Sequence, residues 1–91
     1  MPLDARAVAQ VLLGKMKGDE DRRRDHVFYF FQVDGRVVMR TKISHGAREI
    51  ADSLVGMMAR QLKLSGSEFR AYVDCSKSAD EFERHLREST S

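Results

Sequence analysis

Asp34-Gly35 stands between two runs that suit a pleated surface far better than a helix: residues 27–33 (VFYFFQV) and 36–43 (RVVMRTKI). Both are rich in aromatic and β-branched side chains. Asp-Gly readily adopts the positive φ angles of a tight hairpin turn. The register of that hairpin decides which side chains share a face, because a slip of one residue exchanges the two sides. With a two-residue turn, Val33 lies opposite Arg36, and His26, Phe28 and Phe30 share a face with Val37, Met39, Thr41 and Ile43. With Gly35 in the left-handed position of a three-residue loop, Gln32 lies opposite Arg36 instead. Val27, Tyr29, Phe31 and Val33 then join Val37, Met39, Thr41 and Ile43 in a nearly continuous apolar face. The opposite face becomes His26, Phe28, Phe30 and Gln32 beside Arg36, Val38, Arg40 and Lys42. This second register separates charge from apolar surface better, so it is the expected one, and it sets His26 against Lys42.

Helices are expected on both sides of the hairpin. Asp4 is a good N-cap, Leu3 and Val8 are spaced for a hydrophobic staple, and Val8, Val11 and Leu12 recur on one helical face. Gly14 and Gly18 bracket the end of that helix. Residues 18–25 (GDEDRRRD) hold no apolar side chain, so they form either a loop or an edge strand that buries no face. After a turn at Ser44-His45-Gly46, a longer helix starts between Gly46 and Asp52. It carries Ala51, Leu54, Val55, Met58 and Leu62 at helical spacing, with Arg60 and Lys63 at its negative end. Ser65 with Glu68 and Ser78 with Glu81 read as capping boxes that open two short helices. The first presents Phe69, Tyr72 and Val73; the second presents Phe82 and Leu86. The expected class is α+β, with helices on a small antiparallel sheet and short C-terminal helices added. A chain of 91 residues has room for one such core, so residues 1–91 read as a single domain.

Composition narrows the setting. The longest apolar run, residues 27–31, is far shorter than the roughly 20 residues a membrane-crossing helix needs. No charged-then-apolar leader opens the sequence, and Cys75 is the single cysteine, which excludes an internal disulfide. The expected location is the cytoplasm, with Cys75 a small, mostly buried side chain at a helix junction. Residues 36–63 hold six bases (Arg36, Arg40, Lys42, Arg48, Arg60 and Lys63) against two acids, whereas the chain beyond residue 64 is acidic. A basic middle of this kind permits a polyanionic partner. On charge alone, an ordinary solvated surface of mixed charge is the favoured reading.

No metal or other cofactor is expected. His26, His45, His85 and Cys75 have no ligand-like spacing, and no glycine-rich phosphate loop is present. His26 is the most informative titratable group, since it follows Arg22, Arg23, Arg24 and Asp25 and leads into the aromatic strand. An imidazole exchanges a proton near neutrality, and cations beside it stabilise charge growing on a phosphate. Those parts suit attack of an RNA 2′-hydroxyl on the adjacent phosphate. Read alone, a histidine at a strand start is a polar surface residue. His45 either touches a phosphate or fills a tight turn. Phe28 and Phe30 either stack on bases, pack in a homo-oligomer, or lie beneath the C-terminal helices.

Taken in order, several segments resemble the HicA family of toxin proteins: the helix opening Leu3-Asp4-Ala5-Arg6-Ala7-Val8, the basic stretch ending in His26, and Asp34-Gly35-Arg36. Further on come His45-Gly46, Glu49-Ile50, Ser53-Leu54 and the stretch Arg60-Gln61-Leu62-Lys63-Leu64-Ser65 leading to Glu68-Phe69. The resemblance covers residues 3 to 69, leaving 70–91 as a C-terminal extension. It implies a fold like the double-stranded-RNA-binding domain, α-β-β(-β)-α. It also implies ribosome-independent mRNA cleavage by one catalytic histidine and a HicB-like antitoxin that blocks the site. By position the catalytic residue is His26, and Arg22, Arg23, Arg24, Arg40, Lys42 and His45 are the expected RNA contacts. Arg24-Asp25 replaces the family's Gly-Ser before the histidine, and residues 18–25 are more charged than the family's first strand. A carboxylate beside the histidine either orients it or repels the phosphate. The rival expectation is a non-catalytic interaction module or homo-oligomer built on Phe28, Phe30 and the C-terminal helices with Tyr72 and Phe82. A small-molecule enzyme ranks behind both, because a chain this short leaves little room for a ligand pocket of several hundred Å³.

Overall fold

The computed structural model describes residues 2–89. The chain runs β1 (Leu3–Asp4), α1 (Ala5–Gln10), a π-helical continuation (Val11–Lys15), β2 (Asp19–Arg22), β3 (His26–Val33), β4 (Arg36–Ser44), β5 (Glu49–Ile50), α2 (Asp52–Gln61), α3 (Gly66–Val73) and α4 (Ala79–Glu88). It is an α+β fold. Strands β2, β3 and β4 form an antiparallel sheet in that order, and β1 pairs separately with β5. The sequence α1-β2-β3-β4-α2 is compatible with the arrangement of a double-stranded-RNA-binding domain, and α3 and α4 follow it. No helix of the described residues is long and apolar enough to cross a membrane.

The hairpin reaches the expected segregation of faces by a different route. Asp34 (φ 53°) and Gly35 (φ 80°) make a two-residue turn, with Val33 opposite Arg36. A turn with two positive φ angles matches the natural twist of paired strands. The register then shifts between Phe31 and Gln32: Gln32 pairs with Val37, Phe31 with Met39, and Val38 is the extra residue. Such a bulge moves the rest of β4 by one position. Val27, Tyr29 and Phe31 therefore align with Ile43, Thr41 and Met39, and all six are buried. Two expectations are corrected by the same bulge. His26 pairs with Ser44 rather than Lys42, which lies opposite Phe28. Arg36 and Val37 exchange sides, leaving Val37 48% exposed.

The helices cover only the apolar side. Asp4 caps α1 by accepting from the Ala7 amide at 2.9 Å, and Ala5, Val8, Leu12 and Met16 are buried. Gly18 passes so close to the Phe31 ring that an added Cβ would lie 2.7 Å from it. Residues 19–22 adopt the edge-strand alternative, paired with β3 and contributing nothing to the core. In α2 the buried stripe is Val55, Met58, Ala59 and, just past its end, Leu62, whereas Ala51 and Leu54 are exposed. The expected stripe was rotated because Ala51 is the N-cap, outside the helix, and the helix lies with Ala59 against the core. Thr41 is the one buried polar side chain among the described residues; its hydroxyl donates to Gln61 Oε1 at 2.7 Å.

Both expected capping boxes are present, Ser65 with Glu68 and Ser78 with Glu81. They aim Phe69, Tyr72, Phe82 and Leu86 into the same core as Val8 and Phe31. Phe82 meets Phe31 edge-on at 5.5 Å and Tyr72 at 5.4 Å. Helix α4 therefore packs on the inner side of β3, leaving Phe28 and Phe30 uncovered by it. Cys75 is exposed rather than buried, because it occupies the left-handed position (φ 71°) that ends α3 and points its side chain outward.

Candidate nucleic-acid interface

The outer face of the sheet is built by strand alternation alone. Along β3 it presents His26, Phe28 and Phe30, all half-buried, and exposed Gln32. The Phe28 and Phe30 rings stack at 6.2 Å with a 14° tilt, and His26 continues the row 6.2 Å from Phe28. On the β4 side, Lys42 and Arg40 stand opposite Phe28 and Phe30, and the Lys42 ammonium lies 6.0 Å from the Phe28 ring centre. On the β2 side the same two phenylalanines face Asp21 and Asp19. From one edge to the other, the face therefore reads carboxylates, aromatic rings, cations. Aromatic rings flanked by cations hold a base by stacking and its phosphate by charge.

The expected basic residues divide into two groups. Arg22 is paired with Glu20 at 2.8 Å and Arg23 with Asp21 at 2.9 Å. Arg22 aligns with Val27, so it belongs to the other side of the sheet from Phe28. Arg24, Arg40 and Lys42 are exposed and form no ion pair among the described residues. His45 is exposed in the turn after β4, and its amide donates to the Asp25 carbonyl at 2.9 Å. His26, Arg24, Lys42 and His45 thus gather at one end of the hairpin, while Arg40 lies further along β4.

Two features of this region were missed in the sequence. Asp19 and Asp21 share the aromatic face, which depended on whether residues 18–25 form a strand. A cleft of about 260 Å³ opens beside His26 between β4 and α2, with Lys42, Ser44, Leu54, Met57 and Gln61 on its walls. The 3- and 4-residue spacing of Leu54, Met57 and Gln61 was the available signal, since it marks a second helical stripe beside the buried one. No group of three or more His, Cys, Asp or Glu side chains is placed to hold a metal ion among the described residues. The chain matches no protein-family model, no curated protein and no solved structure.

Proposed function

We propose that this chain is a cytoplasmic RNA-binding domain resembling the HicA toxins, and that it cleaves RNA with His26 as the proton-transfer group. The observation that carries the proposal is the placement of His26. It is half-exposed at the head of the Phe28–Phe30 stack, with Lys42 beside that stack and Arg24 and Arg40 unpaired. In the proposed step, neutral His26 takes the 2′-hydroxyl proton as the 2′-oxygen bonds to the adjacent phosphorus. The bond from phosphorus to the 5′-oxygen breaks, and that oxygen takes a proton from water. The products are a 2′,3′-cyclic phosphate and a 5′-hydroxyl. Arg24, Arg40, Lys42 and His45 hold the phosphates, with Arg22 and Arg23 at the margin because each is already held by a carboxylate. A HicB-like antitoxin is the partner this reading implies.

The test separates binding from cleavage. Purified wild type and His26→Ala are incubated with labelled single-stranded RNA, and retention and product ends are followed. Cleavage to cyclic-phosphate ends by the wild type, with binding alone by His26→Ala, supports the whole proposal. RNA retained but left intact by the wild type ends the nuclease claim. Absence of retention at low salt ends the binding claim as well. The half-exposed Phe28–Phe30 stack also favours a second reading, a homo-oligomer joined through this face. A sedimenting oligomer unaffected by salt, with no RNA bound, would select it.

A further inference from the structure

The sheet has two open edges of very different character. Strand β2 is four charged residues long (DEDR), whereas β4 runs for nine residues and carries Val37, Val38, Met39 and Ile43. Long bare edges are normally blunted, because their unused N–H and C=O groups template further pairing. The Val38 bulge blunts β4 only near the turn; residues 39–44 pair with β3 in continuous register. Helix α2 runs beside this stretch. Its Leu54, Met57 and Gln61 stripe, together with β4, walls the cleft of about 260 Å³; a shallower one of about 540 Å³ lies along residues 37–40 of β4, and the two meet at Gln61. Of the four large apolar side chains exposed among the described residues, three line these clefts: Val37 (48%), Leu54 (45%) and Met57 (44%). Exposed apolar surface concentrated along one edge marks an interaction site rather than scatter.

We infer that the free edge of β4 accepts an extended segment of a partner protein as an added strand, with acidic and apolar residues alternating along it. Main-chain hydrogen bonds to β4 supply the pairing, and alternate side chains of the added strand point to opposite faces. On the outer face they meet Arg40 and Lys42, which are unpaired and call for carboxylates. On the inner side they meet Leu54 and Met57, which call for apolar groups. A second copy of this chain is a poor occupant. Antiparallel pairing of β4 with itself, centred on any of residues 40–42, sets Arg40 or Lys42 against a cation or its diagonal neighbour, and like charges at such positions repel. The inference depends on the β4 edge and α2, not on the chemistry of His26.

The experiment titrates the full isotopically labelled chain with two peptides, each about ten residues long to match the strand. One alternates glutamate with valine; the other alternates lysine with valine. The glutamate peptide is expected to shift the amides of β4 and of Leu54 and Met57, and to slow hydrogen exchange along β4. The lysine peptide should bind at least about tenfold more weakly. Leu54→Asp with Met57→Asp changes only exposed positions and should weaken the glutamate peptide by about tenfold or more. Equal binding of both peptides overturns the inference, as does a shift pattern centred on Phe28 and Phe30. No β4 response at millimolar peptide overturns it too. Protection of β4 that rises with protein concentration alone assigns the edge to a second copy, and protection by oligouridine RNA instead of peptide assigns it to nucleic acid; either result also refutes it.

Discussion

The His45 amide donates to the Asp25 carbonyl at 2.9 Å, which ties the turn after β4 to the loop before β3. One residue further along β3, the Arg23 amide donates to the His26 carbonyl at 2.8 Å. Two main-chain bonds thus close the end of the sheet where both histidines stand. His45→Ala keeps its amide and should change stability by less than about 0.5 kcal/mol. His45→Pro removes the donor and should cost about 1–2 kcal/mol. Urea unfolding followed by circular dichroism measures both. Equal losses for the two variants would show that the imidazole, not the main chain, carries the contribution. RNA affinity should fall modestly in His45→Ala and further in His45→Pro, which also loosens the setting of His26.

Asp19 and Asp21 lie opposite Phe30 and Phe28 on the proposed binding face. Asp19 accepts from Gln32 Nε2 at 3.0 Å, and Asp21 holds Arg23 at 2.9 Å. Both carboxylates repel an incoming phosphate, and Asp21 also occupies one of the available cations. Asp19→Asn and Asp21→Asn should each tighten RNA binding by about 0.3–1 kcal/mol at low salt, the scale of exposed charge interactions. The gain for Asp21→Asn should be the larger, because it frees Arg23, and it should steepen the salt dependence by about one further phosphate contact. Affinity measured against salt concentration decides this. Weaker binding by both variants would place the RNA elsewhere on the molecule.

Gly18 touches Phe31 through main chain, and a Cβ there would sit 2.7 and 2.9 Å from two ring carbons and 3.0 Å from the Leu12 carbonyl oxygen. Phe31 is itself wedged against Phe82, so the ring cannot swing away freely. Gly18→Ala should therefore destabilise the protein by about 1–3 kcal/mol, the usual cost of forcing atoms into a filled core. Gly14→Ala is the control, since nothing lies within 4 Å of its added Cβ. Comparable losses in both would point to chain flexibility rather than the Phe31 contact as the cause.

These relationships differ in how legible they were beforehand. The Asp4 cap, both capping boxes and the core residues they present follow from local rules, so residue order alone reveals them. The partition of the hairpin faces was legible for the same reason: burial of Tyr29, Phe31 and Met39 drives it. The turn that achieves it was not, because a three-residue loop and a two-residue turn with a bulge bury the same side chains from Met39 onward and differ only next to the turn, at Arg36 and Val37. The pairing of His26 with Ser44 hangs on that one extra residue. The strand at Asp19 was left open between a loop and an edge strand, since it buries nothing and pairs only because β3 offers it an edge. Which stripe of α2 faces the core depended on packing against Thr41 and the rest of the sheet, which spacing alone left open between Leu54 and Ala59.

The capping boxes also make stability depend on pH. The Ser65 main-chain and side-chain hydrogen bonds hold the Glu68 carboxyl below its ordinary range, and the Ser78 main-chain bond, followed by Lys77, does the same for Glu81. A carboxyl that is more acidic when folded favours the folded state above its unfolded value, near 4.3. That contribution disappears as pH falls through the lower folded value. The window of loss therefore lies below about pH 4, and nothing from these groups changes at neutral pH. Glu68→Gln with Glu81→Gln keeps an accepting oxygen in each box but removes the titration. The double variant should unfold at lower urea than the wild type at pH 7 and at nearly the same urea at pH 2.5. Urea midpoints across that range give the comparison. A gap between the two proteins that stays constant down to pH 2.5 would show that shape, rather than ionisation, sets the contribution of these two residues.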